Sequence, residues 1–336
     1  MNSRTLLGIV ALIVLGLLAW ELRWVLLVLF GAIVLAVALD VPISLLRRLL
    51  PLNRGTSLLI VVVSVVVVGG LLSQLLLPEL VAQIQELINL IPMVYQRLIV
   101  VAGHLPGLPD LPNLENQLFQ PGTLERLQPV GSQILGLAGG AASSTIQLVL
   151  IALLAILLAL DPRSHQKILI AITPEVWRPK TREVLAECRQ ALGGWLAGMT
   201  LSAVSVFLLT WAGLAALKGP LALLSGLVCG MLTFVPTIGP SAATLLPLAL
   251  ALLVSPSTVV QVLVLRLILQ NAEAFLITPL LLSRTVNLLP TISLMAQLCL
   301  GALLGLPGVL LALPLVVVLQ VICEEIVVKE VMDRWV

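Results

Sequence analysis

Charged residues are scarce in this chain. Asp, Glu, Lys and Arg together make up 10% of its 336 residues, against about 25% in a soluble domain. A water-exposed surface cannot be built from so few charges, and hydrophobic residues account for 60% of the sequence. The net charge of +2 is too small to indicate nucleic acid as a partner. The composition therefore predicts an integral membrane protein whose partner is the lipid bilayer.

Patterns for metal binding, redox chemistry and catalysis are also missing. The four cysteines are scattered, and no pair has metal-ligand or redox spacing. The histidines, His104 and His165, fall in predicted loops, and no H-E-x-x-H motif occurs. The sequence contains no G-x-S-x-G elbow and no Walker G-x-x-x-x-G-K-[ST] motif. We expect no cofactor, no metal and no enzymatic activity.

Apolar runs predict the membrane spans. A helix needs about 20 apolar residues to cross the hydrocarbon layer. Runs of this kind lie at 5–22, 24–40, 56–77, 141–160 and 193–217, and the segment 220–331 supplies several more. We predict an all-α, polytopic integral membrane protein with about eight transmembrane helices, some of them Pro/Gly-interrupted or re-entrant.

Three regions follow from these runs. Residues 1–77 are predicted to be N-terminal transmembrane helices, 78–140 a small extracytoplasmic amphipathic helical insert, and 141–336 a transmembrane core. The core includes a cytoplasmic amphipathic helix at 174–192. Basic residues concentrate in the loops after the second and fourth spans, whereas 78–140 holds only Arg97 and Arg126. By the positive-inside rule, the N-terminus is predicted to be cytoplasmic.

The same proline and glycine pattern occurs in two apolar segments. In each, a proline is followed seven residues later by Pro-Leu. Proline removes a backbone donor and interrupts or bends a helix, and paired interruptions of this kind can point to a ligand site in a membrane protein. Kinks that serve only packing are the alternative. The positions concerned are Pro236, Gly239, Pro240 and Pro247 in FVPTIGPSAATLLPL, and Gly305, Pro307, Gly308 and Pro314 in GLPGVLLALPL.

The stretch RLILQNAEAF, at 266–275, places polar residues in a charge-free surrounding. No Asp, Glu, Lys or Arg occurs at 220–265 or at 285–323. On a helix, Arg266, Gln270 and Glu273 fall within a sector of about 60°, whereas Asn271 points elsewhere. A charge at the bilayer centre costs at least ~2.5–3.5 kcal/mol and usually faces a cavity or a partner. These residues are candidates for a substrate or ion pathway.

Other interpretations of this stripe stay open. Arg266 and Glu273 can form a polar clamp that only fixes helix packing, with Gln270 as a bridge between them. Arg266 can also reach the membrane surface, which would leave Glu273 at a shallower depth. If Glu273 is buried, desolvation and the nearby arginine act on it in opposite directions. Such a carboxylate is suited to exchanging a proton or coordinating a cation.

Several motifs together resemble the AI-2E (autoinducer-2 exporter-like, PerM) family of bacterial transporters. They are FVPTIGP at 234–240, Gln270 and Glu273 followed by Thr278-Pro279, NLLPTISL at 287–294 and GLPGVLLALPL at 305–315. The resemblance covers nearly the whole chain and makes 141–336 a transport core. It implies a homo-oligomeric, multi-pass transporter of the bacterial plasma (inner) membrane that exports a small solute.

What the resemblance implies leaves more than one function open. The first expectation is export of a small organic, autoinducer-2-like solute by a secondary mechanism, with H⁺ or Na⁺ as candidate coupling ions. Plausible further contributors are Thr233, Thr237, Ser241, Thr244 and Gln297. The alternatives are monovalent cation/proton (Na⁺/H⁺) exchange through Glu273, and a membrane scaffold that binds a partner without transport.

Overall fold

The structure is a computed structural model, and it describes residues 14, 16–18, 20–102, 142–235, 238–277 and 289–332. These residues contain helices and turns but no β-strand, so the predicted all-α fold is confirmed. The helices are α1 (Arg23–Leu49), α2 (Arg54–Ala102), α3 (Ala142–Leu160), α4 (Pro162–Ile172), α5 (Arg178–Ala216), α6 (Ala222–Leu232), α7 (Ile238–Val254), α8 (Pro256–Ala272) and α9 (Pro290–Ile322). Wider π-helical turns extend α8 through Glu273–Ile277 and α9 through Cys323–Met332.

Several of these helices can cross a membrane. Among the described residues, five are long and apolar enough, or up to six if α3 and α4 form one bent span. The five are α1, α2, α5, α8 and the second half of α9. The predicted polytopic membrane fold is confirmed. The first predicted span, 5–22, lies mostly outside the described residues.

The chain divides into two compact units. Unit 1 comprises 1–62, 146–196 and 286–336, and unit 2 comprises 63–145 and 197–285. In the core of unit 1, small residues on α1 and α3 allow close helix packing. The buried core of this unit includes Ala32, Ala36, Ile43, Leu58, Val61, Ala155 and Ala159.

In unit 2, the second half of α2 packs on α6 and α7. Leucines and isoleucines that recur along α2, at Leu80, Ile84, Leu87 and Leu90, contact buried Leu221, Leu224 and Leu250. The amide of Leu224 also donates to Oε1 of Gln83 at 2.9 Å. The apolar face of the predicted amphipathic helix is therefore packed against protein and partly buried.

The helix structure does not break at the predicted boundary between 77 and 78. The span at 56–77 and the amphipathic helix that follows are one continuous helix, α2, with Pro78 inside it. Proline removes one donor and bends a helix, but the strong helix formers on both sides carry this one onward. The remainder of the predicted insert, 103–140, lies outside the described residues. The helix predicted at 174–192 and the fifth predicted span, 193–217, form one continuous helix, α5, with Val184, Leu192 and Trp195 buried.

Helix α4 is an element that the sequence analysis did not predict. Its start has a recognisable signal in Asp161-Pro162. Asp161 caps the helix by accepting from the backbone amide of Ser164 at 3.2 Å, and proline is favoured at the first helical position. His165 therefore lies on a helix and not in a loop, with Nδ1 2.8 Å from the carbonyl oxygen of Asp161.

Candidate functional site

The predicted polar stripe lies at the end of α8, where the helix changes its hydrogen bonding. The α-helix ends at Ala272, and Glu273 begins the π-helical turn. Turns of this kind occur frequently at functional sites. Arg266 is buried, and Gln270 and Glu273 are half-buried. Asn271 is exposed and donates to the carbonyl of Leu267 on its own helix at 2.7 Å, so it points away from the stripe as predicted.

Arg266 is held by hydroxyl groups. Its Nη1 donates to Oγ1 of Thr210 on α5 at 3.0 Å, and its Nε donates to Oγ1 of Thr244 on α7 at 3.3 Å. Arg266 is 3% exposed. In the described part of the chain no carboxylate forms an ion pair with it. A guanidinium group in such surroundings is costly to bury without an opposite charge.

Glu273 contacts the same neighbouring helix. Its Oε1 accepts from Oγ of Ser202 on α5 at 3.3 Å. Ser202 and Thr210 are eight residues apart on α5, and Arg266 and Glu273 are seven apart on α8. The two helices run in opposite directions at these contacts. Two polar contacts join them, Ser202–Glu273 and Thr210–Arg266, and we call these contacts the polar rungs. The rungs are about 11 Å apart along the helix axis. Gln270 lies between the rungs but bonds neither Arg266 nor Glu273, so the predicted bridge is not formed.

The first interrupted segment meets the stripe. Oγ1 of Thr244 accepts from Arg266 and also donates to the carbonyl of Pro240 at 3.0 Å. Pro240 stands in the first turn of α7, after the break that separates α6 from α7. Gly239 fits there because a Cβ would stand 1.9 Å from the carbonyl oxygen of Leu232. Thr244 therefore links the main chain at Pro240 to Arg266, whereas Gly239 stands against Leu232. Pro236 lies outside the described residues.

The second interrupted segment belongs to unit 1. Within α9, Gly305 has φ 66° and ψ −151°, which breaks the helix. Gly308 follows the break, and a Cβ there would stand 2.1 Å from the carbonyl oxygen of Leu300. Pro307 is exposed and Pro314 is buried inside the helical second half of α9. Like Pro247 within α7, Pro314 does not interrupt its helix.

A charged cluster in unit 1 escaped the sequence analysis. Asp40 on α1 pairs with Arg54 at 2.6 Å and with Arg189 on α5. Nε of Arg54 also donates to the carbonyl of Ala159 at 2.8 Å, near the C-terminal end of α3. Asp40 is the only carboxylate between Glu21 and Glu79. The criterion that singled out Glu273, a lone charge in an apolar run, would have found it.

A second ionic cluster joins the start of α5 to the end of α9. Glu325 is 1% exposed, pairs with Lys180 at 2.7 Å and also pairs with Lys329. Carboxylate oxygens of Glu183 and Glu187 lie with that of Glu325 within 4.8 Å of one another. The lysines supply the opposite charge, so we interpret this cluster as an ion-pair network that holds the two helices together.

Comparisons with known proteins identify the family. The family model described as "AI-2E family transporter" matches residues 7–328. The chain is 27% identical over 150 residues to YrrI of Bacillus subtilis, covering 45% of this chain and 42% of that protein. It is 23% identical over 297 residues to sll0060 of Synechocystis, covering 83% and 82%. Both relatives carry the name of a proposed transport protein.

The extent of these matches differs. The match to YrrI spans less than half of that relative's length. The match to sll0060 extends over most of both proteins, and the family model matches most of this chain. The resemblance expected from FVPTIGP, the Gln270 and Glu273 pair and GLPGVLLALPL is thus confirmed. The chain belongs to the AI-2E transporter family.

Proposed function

We propose that this protein is a transporter of the bacterial plasma membrane that exports a small organic solute by a secondary mechanism. The observation that carries the proposal is the pair of polar rungs between α5 and α8. Ionisable groups among apolar helices are expensive and are typical of substrate and ion pathways. Arg266 uses two N–H donors on threonines out of the five that a guanidinium has. The remaining donors form no hydrogen bond in the described part of the chain, and we propose that the solute bonds to them.

The chemistry of the rungs favours an oxygen-rich solute. Arg266 offers donors, and Glu273 offers an acceptor or a proton. The break before α7 places main-chain groups near Thr244, which itself bonds Arg266. An autoinducer-2-like furanone, with several hydroxyl oxygens, matches this set. The sequence has no Walker motif. We therefore propose that the energy comes from an ion gradient, a partner protein or the solute's own gradient.

The test is transport in proteoliposomes loaded with an autoinducer-2-type furanone. We expect outward movement of the furanone, accelerated by an imposed proton or Na⁺ gradient. The variants Arg266→Gln and Glu273→Gln should lower the rate at least tenfold. Glu86→Gln, which removes an exposed carboxylate of α2, is the matched control and should transport like the wild type. Equal rates in Arg266→Gln and the wild type would remove Arg266 from the pathway.

Cation/proton exchange is the second candidate, and Glu273 favours it. This carboxylate has no ion pair in the described residues and bonds only a serine hydroxyl. A pH-sensitive dye inside the vesicles, with imposed Na⁺ or K⁺ gradients and no furanone, separates the two functions. Cation-dependent proton movement that disappears in Glu273→Gln would establish exchange.

A scaffold without transport is the remaining alternative. It predicts no flux of furanone, cations or protons in any variant, together with altered assembly when Glu273 is replaced. We expect the protein to form a homo-oligomer with a cytoplasmic N-terminus. The oligomeric state of each variant is therefore measured beside its flux.

A further inference from the structure

A basic pocket lies between α4 and the start of α5 in unit 1. It has a volume of about 470 Å³, and its wall contains Arg163, Lys167, Arg178 and Arg182 but no Asp or Glu. Within the described residues, none of these four forms an ion pair. Arg178 donates to the carbonyl of Thr173 at 3.2 Å. Four cations around one space, without opposite charges, favour an anionic ligand.

An apolar cavity adjoins this pocket on another face of α4. It has a volume of about 350 Å³, within the range of roughly 300–1,000 Å³ of small-molecule sites. Its wall is mostly apolar, with side chains from α1, α3, α5 and α9 such as Phe30, Leu158, Leu192 and Val318. Gln166 belongs to the walls of both spaces. An apolar space and a cationic space therefore meet at one side chain.

The direction of α4 suits a position at the membrane surface. It is bent by 86° from α3, a helix of membrane-spanning composition. Exposed apolar side chains, at Ile168 and Ile172, accompany its basic residues. A helix with apolar and basic faces of this kind lies at the boundary between headgroups and acyl chains.

We propose that unit 1 binds an anionic phospholipid at this place. Its phosphate contacts the four basic residues of the pocket, and one acyl chain occupies the apolar cavity beyond Gln166. A free phosphate ion or an acidic peptide would satisfy the cations but leave the apolar cavity without an occupant. A zwitterionic lipid would fill the cavity, but its own ammonium group would compete with the arginines for the phosphate. The ligand is thus a lipid with net negative charge.

The first experiment titrates lipid into the full-length protein. Nanodiscs made of phosphatidylcholine are supplemented with phosphatidylglycerol of the same acyl chains, and the thermal unfolding midpoint is followed. We expect a saturable rise of several degrees with phosphatidylglycerol. An equal midpoint in both lipids overturns the proposal. So does the same rise with inorganic phosphate or a glutamate-rich peptide in phosphatidylcholine discs, because each would show that no acyl chain is needed.

Variants that remove positive charges test where the lipid headgroup binds. Each cation next to an anionic lipid contributes about fivefold in affinity, so Lys167→Gln/Arg182→Gln should weaken phosphatidylglycerol binding by about 25-fold. The matched control, Arg47→Gln/Arg48→Gln, removes the same charge from the exposed end of α1 and should change binding less than threefold. Equal losses in both double variants would mean general surface attraction and overturn the site.

Photo-crosslinking of the wild type locates the acyl chain and does not depend on whether the variants fold. A phosphatidylglycerol with a diazirine in its acyl chain is incorporated, irradiated and mapped by mass spectrometry. We expect adducts on cavity residues such as Leu158, Leu185 and Val318. Adducts confined to outward-facing apolar residues, such as Leu59 or Leu148, would show ordinary boundary lipid and contradict the proposal.

Discussion

Both units contain charged side chains within apolar helices, but the partners of these side chains differ between the units. In unit 1, Asp40 is balanced by Arg54 and Arg189, and Arg54 also binds a main-chain carbonyl. In unit 2, Arg266 and Glu273 bond neutral hydroxyls and do not form an ion pair with each other. A charge whose partners are complete serves the fold, because nothing is left for a ligand. A charge with incomplete partners has a cost to folding, and such charges in membrane helices are typical of substrate and ion pathways.

Breaking the complete cluster should have the largest effect on stability. Asp40→Asn leaves Arg54 and Arg189 facing each other without a carboxylate. Removing one partner of a fully buried ion pair costs about 3–5 kcal/mol, and exposed pairs contribute about 0–1 kcal/mol. For this partly exposed cluster we expect a loss of about 2–3 kcal/mol in the free energy of unfolding, measured by thermal unfolding in nanodiscs. Glu86→Gln, at an exposed site on α2, should change it by less than about 0.5 kcal/mol.

A hydroxyl partner of Arg266 should matter somewhat less. Thr210→Val keeps the shape of the side chain but removes the acceptor for Nη1 of Arg266. An orphaned buried donor costs about 1–3 kcal/mol, so we expect a loss of about 2 kcal/mol. The comparison variant is Thr200→Val, at an exposed position of the same helix. If both variants unfold at the same temperature, the guanidinium does not depend on Thr210.

Neutralising the carboxylate of unit 2 should have a small effect on the fold. Glu273→Gln retains an oxygen that accepts from Ser202 and removes no ion pair. We therefore expect a change below about 1 kcal/mol in the free energy of unfolding, in contrast to Asp40→Asn. The same thermal measurement decides it. A loss as large as that of Asp40→Asn would mean that Glu273 is a structural clamp, as one interpretation of the sequence holds.

Apolar runs in the sequence predicted most of the membrane-spanning helices, whereas the helix boundaries depend on local features such as caps and prolines. Long runs such as 193–217 have one stable conformation in a bilayer, because every main-chain donor must be satisfied within the helix. The sequence determines the boundaries of the helices less well. Pro78 lies inside α2 without ending it. The start of α4 depends on a cap at Asp161, directly after the end of α3.

The candidate site was predictable only within one helix. Arg266, Gln270 and Glu273 share a stripe because of helical periodicity, which sequence spacing contains. Their partners come from another helix, 56 residues away for Thr210 and 71 for Ser202. Serine and threonine are common in membrane helices, so the sequence does not distinguish those that bond a charged residue from the others. Thr244 was one of five hydrogen-bonding residues expected to contribute to solute binding, but its bond to Arg266 could be seen only in the fold.

The last comparison between the units concerns residues whose backbone is in the left-handed region. A substitution there has the smallest expected effect on the free energy of unfolding. Among the described residues, a positive φ occurs in unit 1 at Gly305, whereas in unit 2 it occurs at two residues other than glycine, Lys218 with φ 53° and Leu221 with φ 50°. Lys218 follows α5, and the turn has the hydrogen bonds of a Schellman motif, from its own amide to Ala215 and from Gly219 to Leu214.

Glycine is the residue that this position favours, because a Cβ in left-handed backbone costs about 1–2 kcal/mol. Part of that gain is offset by the larger backbone entropy of glycine in the unfolded chain. We therefore expect Lys218→Gly to raise the free energy of unfolding by about 0.5–1 kcal/mol, seen as a higher thermal midpoint. Lys218→Ala removes the same charge but keeps the Cβ, so it should bring no gain. Equal stabilisation by both would trace the effect to the lysine's charge and not to the backbone.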